Sequence, residues 1–590
     1  MATKLKEVDV VLVGFGLAGG IIARELSGKG LKIVALERGV KRDTNPDFAV
    51  PQIRDELRYA VRADLMMDTA RDTLTFRHRP ADTALPMRRL GAFLPGEGVG
   101  GAGVHWNGVY WRWLAQKDLR IRSFYEQRYG KAFIPADMPL QDWGITYDEL
   151  EAHYEKFERA FAVSGKAGNI QGKIQSQGNP FEAPRQNDFP LPPLKESHAM
   201  EVFAQAATQM GYHPFIVAAA NASQAYTNPD GVKFGACQYC GHCERFGCEA
   251  NAKGSPHLAV IPTALADPDV ELRTHAWVTK VNLDSSRKKA TGVMYTDVVT
   301  GQEYEQPAGL VILSAYGLGN THLMLLSGIG KTYDPKTGKG VVGKNYAYQV
   351  GAGVTLFFEN KAFNPFIGAG ALSARFDDFH ANEAFDNGKA GFIGGATIGV
   401  GSSGGRPILF RPVPPGTPRW GSDWKRATAK WYQRAMTITT TSSNMPNRYA
   451  YCDLDPTYRN VFGQPLMRLT YNFTENDFKT RDFMLQKAAE LAKSLNPTFV
   501  TQPDLRREDF SLVPYQTTHN TGGTIMGSDP STSVVNKYLQ SWDVSNLFVV
   551  GASVFPHNSS YNPTGPVGAL AYHTAAAIRN TYLKRPGRLV

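Results

Sequence analysis

The sequence predicts a mixed α/β (α+β) chain. A Rossmann-like domain is assembled from separated segments, an antiparallel-sheet domain is inserted into it, and a cysteine-bearing loop is attached. Three observations predict this. The chain has 590 residues with 42% apolar composition, more than one folding unit with ample core. It opens on a βαβ pattern built around glycines. Strand-like runs with Gly/Pro turns fill residues 346–500 before strand–turn–helix signals return near the end.

The opening element is "VDVVLVGFGLAGGIIARELSGKGLKIVALERG". Val8 to Val13 is a buried strand, Ile21 to Leu26 a helix start, and Lys32 to Leu36 the next strand. Gly14, Gly16 and Gly19 form G-x-G-x-x-G. Their tasks are a tight turn, backbone approach to a pyrophosphate and close helix–strand packing. The helix N-terminus offers its N–H groups to the phosphates. Glu37, eighteen residues past Gly19, can accept from ribose hydroxyls. The element predicts dinucleotide binding without separating NAD from FAD.

A second glycine run, "PGEGVGGAGVHWNGVYWRW" at 95–113, separates them. Here the chain resembles the glucose–methanol–choline (GMC) oxidoreductases, which bind FAD. Gly100, Gly101 and the following aromatic run match their second flavin motif. The G-G-x-x-x-H-W form matches the branch of pyranose oxidase and the bacterial membrane-bound sugar dehydrogenases. The resemblance implies that His105 is bonded covalently to the flavin; a loop histidine that only hydrogen-bonds there is the plainer reading. "VELRTHAWVTKVNLD" resembles the family strand against the adenine, with Val278 at the backbone-contact position. "LVILSAYGLGNTHLMLLSGIG" resembles the family's strand–turn–helix and, with Asn320, His322 and several Gly inside it, does not read as a membrane span. "NLFVVGASVFP" resembles the late flavin-contacting strand. Where many members carry an acid, this chain has Gly551 and Ala552, which implies a backbone contact.

Between these motifs, "WGITYDELEAHYEKFERAF" reads as a helix with a Thr146–Glu149 capping box, and "TENDFKTRDFMLQKAAELAKSL" as an amphipathic helix. "GVTLFFEN" and "MRLTYNF" read as strands of the inserted domain, separated by the loop "GGRPILFRPVPPGTPRWG". The division that follows is an FAD-binding domain from 1–130, 231–345 and 505–590, and a substrate-binding cap from 131–230 and 346–504.

Oxidising an alcohol requires a hydride acceptor and a base for the hydroxyl proton. "QTTHNTGGTIMG" places His519 where the family has its active-site histidine, and "SSYNPTGPVGALAY" places Asn562 where it has its second His or Asn. His519 is the expected base, with a side-chain type that exchanges protons near neutrality. Asn562 is the expected hydroxyl-positioning partner. His557, in a loop, is the competing base, and His573 reads as packing in the terminal helix.

Four of the five cysteines lie in "GACQYCGHCERFGCEANAK" at 235–253. Cys237, Cys240, Cys243 and Cys248 are spaced C-x2-C-x2-C-x4-C. Disulfides would close very small loops, and zinc normally takes two well-separated knuckles. An iron–sulfur cluster wraps one short loop at nearly this spacing. The resemblance to bacterial gluconate, 2-ketogluconate, fructose and FAD-glucose dehydrogenases implies a 3Fe–4S cluster. Spacing favours Cys237, Cys243 and Cys248 as its three ligands, with Cys240 spare; Cys452 reads as a buried thiol.

That resemblance also implies partners: a small export subunit bearing the signal, and a multihaem cytochrome c subunit at the membrane. The chain's "MATKLKEVDVVLVGFG" start shows no signal-peptide h-region and no transmembrane segment is read, so the expected location is the periplasmic face of the inner membrane, peripheral, reached with the partner. The net charge of +10 (64 basic minus 54 acidic) is scattered, which argues against nucleic acid and is compatible with an anionic substrate. Within the group, the stretches quoted look most like gluconate-oxidising members, implying D-gluconate to 2-keto-D-gluconate. Fructose, sorbitol or 2-ketogluconate dehydrogenases, and an FAD sugar oxidase, are the alternatives.

Overall fold

The computed structural model describes residues 2–49, 65–89, 93–365, 367–401, 411–512 and 517–589. β1 (Val8–Val13), α1 (Leu17–Leu26) and β2 (Ile33–Leu36) form the opening βαβ unit. The helix begins at Leu17, one turn before the expected Ile21, because the glycines at 19 and 20 belong inside it. A Cβ at Gly19 would stand 2.3 Å from the Gly14 carbonyl oxygen, so the helix packs against the strand end only with glycine there.

β3 (Val270–Arg273), β4 (Ala276–Leu283), β5 (Ala290–Asp297) and β6 (Glu303–Leu313) complete the main sheet. The order is β3-β2-β1-β6-β5-β4. The first three pairings are parallel and the last two antiparallel. Leu547–Val549 also pairs in parallel with β6, so the far end of the chain returns to the first strand's neighbour. The strands β1 and β2 read as continuous apolar runs because helices and loops cover them; Val10, Val11 and Leu12 are fully buried.

A second sheet is antiparallel throughout. Its order is Phe499–Val500, β7 (Val350–Phe357), β10 (Ala435–Ser442), β9 (Ala396–Gly401), β8 (Ser373–Phe376) and Phe215–Ile216. The expected strand at "GVTLFFEN" starts earlier, at Val350, and ends at Phe357. Side chains alternate between the two faces. Val354, Phe376, Ile398 and Ile438 join Met200, Phe203, Met484 and Leu491 of two covering helices in one core. Those helices are Glu475–Ser494 and His198–Gln209. The opposite face presents Gly351, Ser373, Arg375, Thr437, Thr439 and Thr441 to a cavity.

A third sheet joins Tyr451–Arg459 and Pro465–Thr470 to Leu74–Arg77 and Leu85–Pro86. "MRLTYNF" is therefore a strand, but its partners are Tyr451–Arg459 and Leu74–Arg77 rather than the second sheet. Local pattern reports a strand's faces and not its distant partner. Residues 404–410 of the expected Gly/Pro loop lie outside the described residues. Helix Tyr147–Ala160 carries the Thr146–Glu149 capping box, with Thr146 Oγ1 accepting from Glu149 N at 3.3 Å and Glu149 Oε2 accepting from Thr146 N at 2.9 Å. Cys452 is buried. Among the described residues no helix is long and apolar enough to cross a membrane.

Candidate active site

Between the main sheet and the polar face of the second sheet lies a cavity of about 1350 Å³. Pockets for a single small ligand run to roughly 300–1,000 Å³, so this one has room for a dinucleotide and a substrate together. Gly14, Gly16, Glu37, Gly101, His105, Val278, His519, Gly551, Ala552 and Asn562 line it. Gly19 and Gly100 do not; they shape the walls. Gly14 has φ +87°, and a Cβ there would stand 2.7 Å from the Ser314 carbonyl oxygen. The two glycine runs touch: Gly100 N donates to Phe15 O at 2.7 Å, and Gly16 faces Gly101. Gly16 caps α1 without a side chain, leaving the helix's first N–H groups for an anion. Glu37 is buried, its carboxylate accepting from Phe15 N at 3.0 Å and Gly39 N at 2.9 Å, while burial pushes its pKa up.

At the other end, His519 and Asn562, forty-three positions apart, meet: Asn562 Nδ2 lies 3.0 Å from His519 Nε2. Both side chains are locked by partners. Asn562 Oδ1 accepts from Trp111 Nε1 at 3.2 Å, so the amide nitrogen must face the histidine. On the other side of the ring, His519 Nδ1 meets Gln349 Oε1. Gln349 Nε2 donates to the carbonyl oxygens of Ser559 at 2.6 Å and Tyr561 at 2.8 Å. Those oxygens only accept, so Oε1 is the atom turned to His519, and Nδ1 carries the proton. The lone pair then sits on Nε2, beside Asn562. The ring opens onto the cavity rather than bulk solvent, and this burial pushes its pKa down to about 3. Asn562 Nδ2 donates to that lone pair, and a substrate hydroxyl that displaces this contact can donate to Nε2 and accept from the amide.

The competing histidines lie elsewhere. His557 is fully buried behind the site, with Nδ1 accepting from Trp143 Nε1 at 3.5 Å and Nε2 3.7 Å from Asp118. His573 stacks on Tyr538 with ring centroids 5.5 Å apart. Neither lines the cavity. Gln349 and Trp111 are functional positions that the sequence alone does not mark. Gln349 sits in no motif; Trp111 stands in the aromatic run of the second flavin motif, but nothing there marks it as the partner of Asn562.

The cysteine loop has no helix or strand between Lys233–Phe234 and Pro256–Ala259. It packs directly behind the second glycine run. Arg245 N donates to His105 O at 2.7 Å, and the buried Lys253 Nζ donates to the carbonyls of Trp106, Cys243 and Phe246 at 3.0, 3.1 and 2.7 Å. Cys243 is buried, Cys237 and Cys248 half-buried and Cys240 exposed, and none is in a disulfide. Burial pushes Cys237 up to about 11 and Cys243 up to about 12, with Cys240 and Cys248 near enough to push both further. Among the described residues no three Cys, His, Asp or Glu side chains converge tightly enough to hold a metal ion. The donor chemistry, four neighbouring thiols beside a buried ammonium, fits an iron–sulfur cluster.

The chain matches the family described as GMC oxidoreductase over residues 143–350 and 448–571. It is 48% identical to the gluconate 2-dehydrogenase flavoprotein of Pantoea cypripedii, over 100% of this chain and 96% of that one. It is 24% identical to the fructose dehydrogenase large subunit of Gluconobacter japonicus, over 98% and 99% of the two chains. A solved formate oxidase of Aspergillus oryzae shares the fold, with a TM-score of 0.62 at 15% identity over 99% of this chain and 100% of the other.

Proposed function

This chain belongs to the GMC oxidoreductases, FAD-dependent enzymes, and on that premise we propose that it oxidises D-gluconate to 2-keto-D-gluconate and delivers the electrons through a 3Fe–4S cluster to a cytochrome c subunit. The observation that carries the substrate is the 48% identity over the whole chain to a gluconate 2-dehydrogenase flavoprotein. The net charge of +10 is compatible with an anion.

FAD, when bound, supplies the acceptor for the hydride. Gly14, Gly16, Glu37, Gly101, Val278, Gly551 and Ala552 would hold it, with Gly19 and Gly100 shaping the walls behind them and His105 as its covalent attachment. His519 Nε2 takes the hydroxyl proton. Gln349 receives the Nδ1 hydrogen bond, fixing the tautomer that leaves Nε2 free to do so. Asn562, held by Trp111, orients the hydroxyl. Cys237, Cys243 and Cys248 are the residues that would hold the three-iron cluster, with the exposed Cys240 spare, and the cluster would supply one-electron transfer. In this reading, 1–130, 231–345 and 505–590 bind FAD, and 131–230 and 346–504 form the substrate cap. A small signal-bearing subunit carries the chain to the periplasmic face of the inner membrane.

A turnover screen of D-gluconate, fructose, sorbitol and 2-ketogluconate with an artificial one-electron acceptor tests the proposal. Gluconate is expected to be the preferred substrate. Preference for another of the four reassigns the substrate, and full turnover on oxygen alone makes the protein an oxidase. For His105, acid-precipitated protein keeps its yellow colour if the bond exists; release of all flavin removes it.

A further inference from the structure

Among the described residues, the polar face of the second sheet carries one charged side chain, Arg375 on β8, and it lines the cavity. In register, Arg375 pairs with Gly399 on β9, and Gly399 with Thr439 on β10. The arginine stem lies across the glycine: a Cβ at Gly399 would stand 2.3 Å from Arg375 Cγ. The guanidinium is held beyond it, Nη1 donating to Thr397 Oγ1 at 3.0 Å and Nη2 to Thr439 Oγ1 at 3.4 Å. These two bonds use two of its five N–H groups. The cavity's other guanidiniums face carboxylates: Arg38 has Asp72 and Glu97, each at 3.5 Å, and Arg245 has Glu244 at 3.4 Å. Arg375 makes no ion pair among the described residues. The acid whose charge it feels, Asp377, is engaged by Tyr561 OH and by Asn179 Nδ2, the latter at 3.1 Å. Burial lowers the guanidinium only to about 10, so it remains a cation at neutral pH.

A cation removed from water with neutral partners alone is costly and attracts an anion. We infer that Arg375, laid over Gly399 and held by Thr397 and Thr439, is the carboxylate-binding residue of the substrate cavity and selects sugar acids over neutral sugars. Guanidinium and carboxylate match as a two-pronged hydrogen-bonded pair. A neutral sugar of the same size leaves the cation without a counter-charge, which is how a buried polar site rejects a near-isostere. Gln349, immediately before β7, stands in the same alternation on this face, so the anion site and the support of His519 belong to one surface. The inference rests on the sugar-acid reading above.

The test uses the FAD-loaded protein under anaerobic conditions. Flavin bleaching is titrated with D-gluconate and with sorbitol, as a neutral polyol, in the unmodified protein, Arg375→Gln and Arg375→Lys. The Gln variant is expected to weaken gluconate at least about tenfold and to bind sorbitol no more weakly than the unmodified protein, so that the preference for the acid narrows; the Lys variant, which keeps charge without the fork, falls between. Unchanged gluconate affinity in a folded, flavin-loaded Arg375→Gln protein overturns the anchor while leaving the substrate reading intact. If the unmodified protein is bleached by sorbitol but neither bleached nor competitively inhibited by gluconate, both the substrate reading and the anchor are overturned.

Discussion

The His519–Asn562 pair, the proposed proton-handling site, and the cysteine loop lie on two sides of the same cavity and are built in opposite ways. His519 and Asn562 are each held by partners whose own hydrogen bonds are committed, so protonation state and orientation follow from the polypeptide alone. The loop at 235–253 has no regular structure, is pinned through Lys253 and backbone contacts, and brings its thiols near one another without closing a metal shell. One region is preorganised by the chain. The other offers four thiols without a closed shell, and on the proposed reading its final geometry would be set by the cluster, as where metal binding and local folding are coupled.

The largest expected effect separates the two. His519→Ala should retain flavin but slow substrate-driven bleaching by at least about 10², the usual worth of a positioned base. Stopped-flow absorbance measures this, and near-normal bleaching removes His519 from the mechanism. Cys243→Ser should do the converse: iron and acid-labile sulfide are lost and cytochrome reduction falls sharply. Zinc in place of iron, or unchanged cytochrome reduction by a folded cluster-free variant, returns the loop to a structural role.

Gln349 sharpens the claim of preorganisation. Gln349→Leu removes the acceptor for Nδ1–H, and a loss of roughly tenfold or more in bleaching rate is expected. With His519 pushed down to about 3, its base form persists to low pH, so kcat/KM should show no His519 limb between about pH 5 and 8. Gln349→Glu places a carboxylate on Nδ1–H. This favours the imidazolium, raises the histidine's pKa and moves the acidic limb of the profile to higher pH. An unchanged bleaching rate in Gln349→Leu together with an unmoved profile in Gln349→Glu would mean that Gln349 does not set the tautomer. The smallest effect is expected at Trp111. Trp111→Phe frees the Asn562 amide to turn, and a few-fold rise in KM with flavin binding intact should follow from losing one neutral hydrogen bond.

What the sequence revealed follows the same division. G-x-G-x-x-G between two apolar strands fixes a local geometry that neighbouring residues complete, and the glycines stand where the pattern placed them. His519 and Asn562 are legible through family motifs, although forty-three positions separate side chains 3.0 Å apart. Gln349 and Arg375 were not legible. Each is a polar residue on a strand whose importance depends on what lies across a sheet or a cavity, and alternation alone marks them only as facing away from the apolar side. "MRLTYNF" shows the same limit, since its parallel partner, Leu74–Arg77, lies nearly four hundred positions earlier.

The most direct test of the account combines both regions in one protein. Cys243→Ser, loaded with FAD and stripped of iron, is mixed anaerobically with D-gluconate while flavin absorbance and product are followed. The account predicts bleaching at the unmodified rate and about one equivalent of 2-keto-D-gluconate per flavin, because His519, Gln349 and Asn562 need nothing from the loop. Absence of bleaching and product in this folded variant, with both present in the unmodified protein, would contradict it.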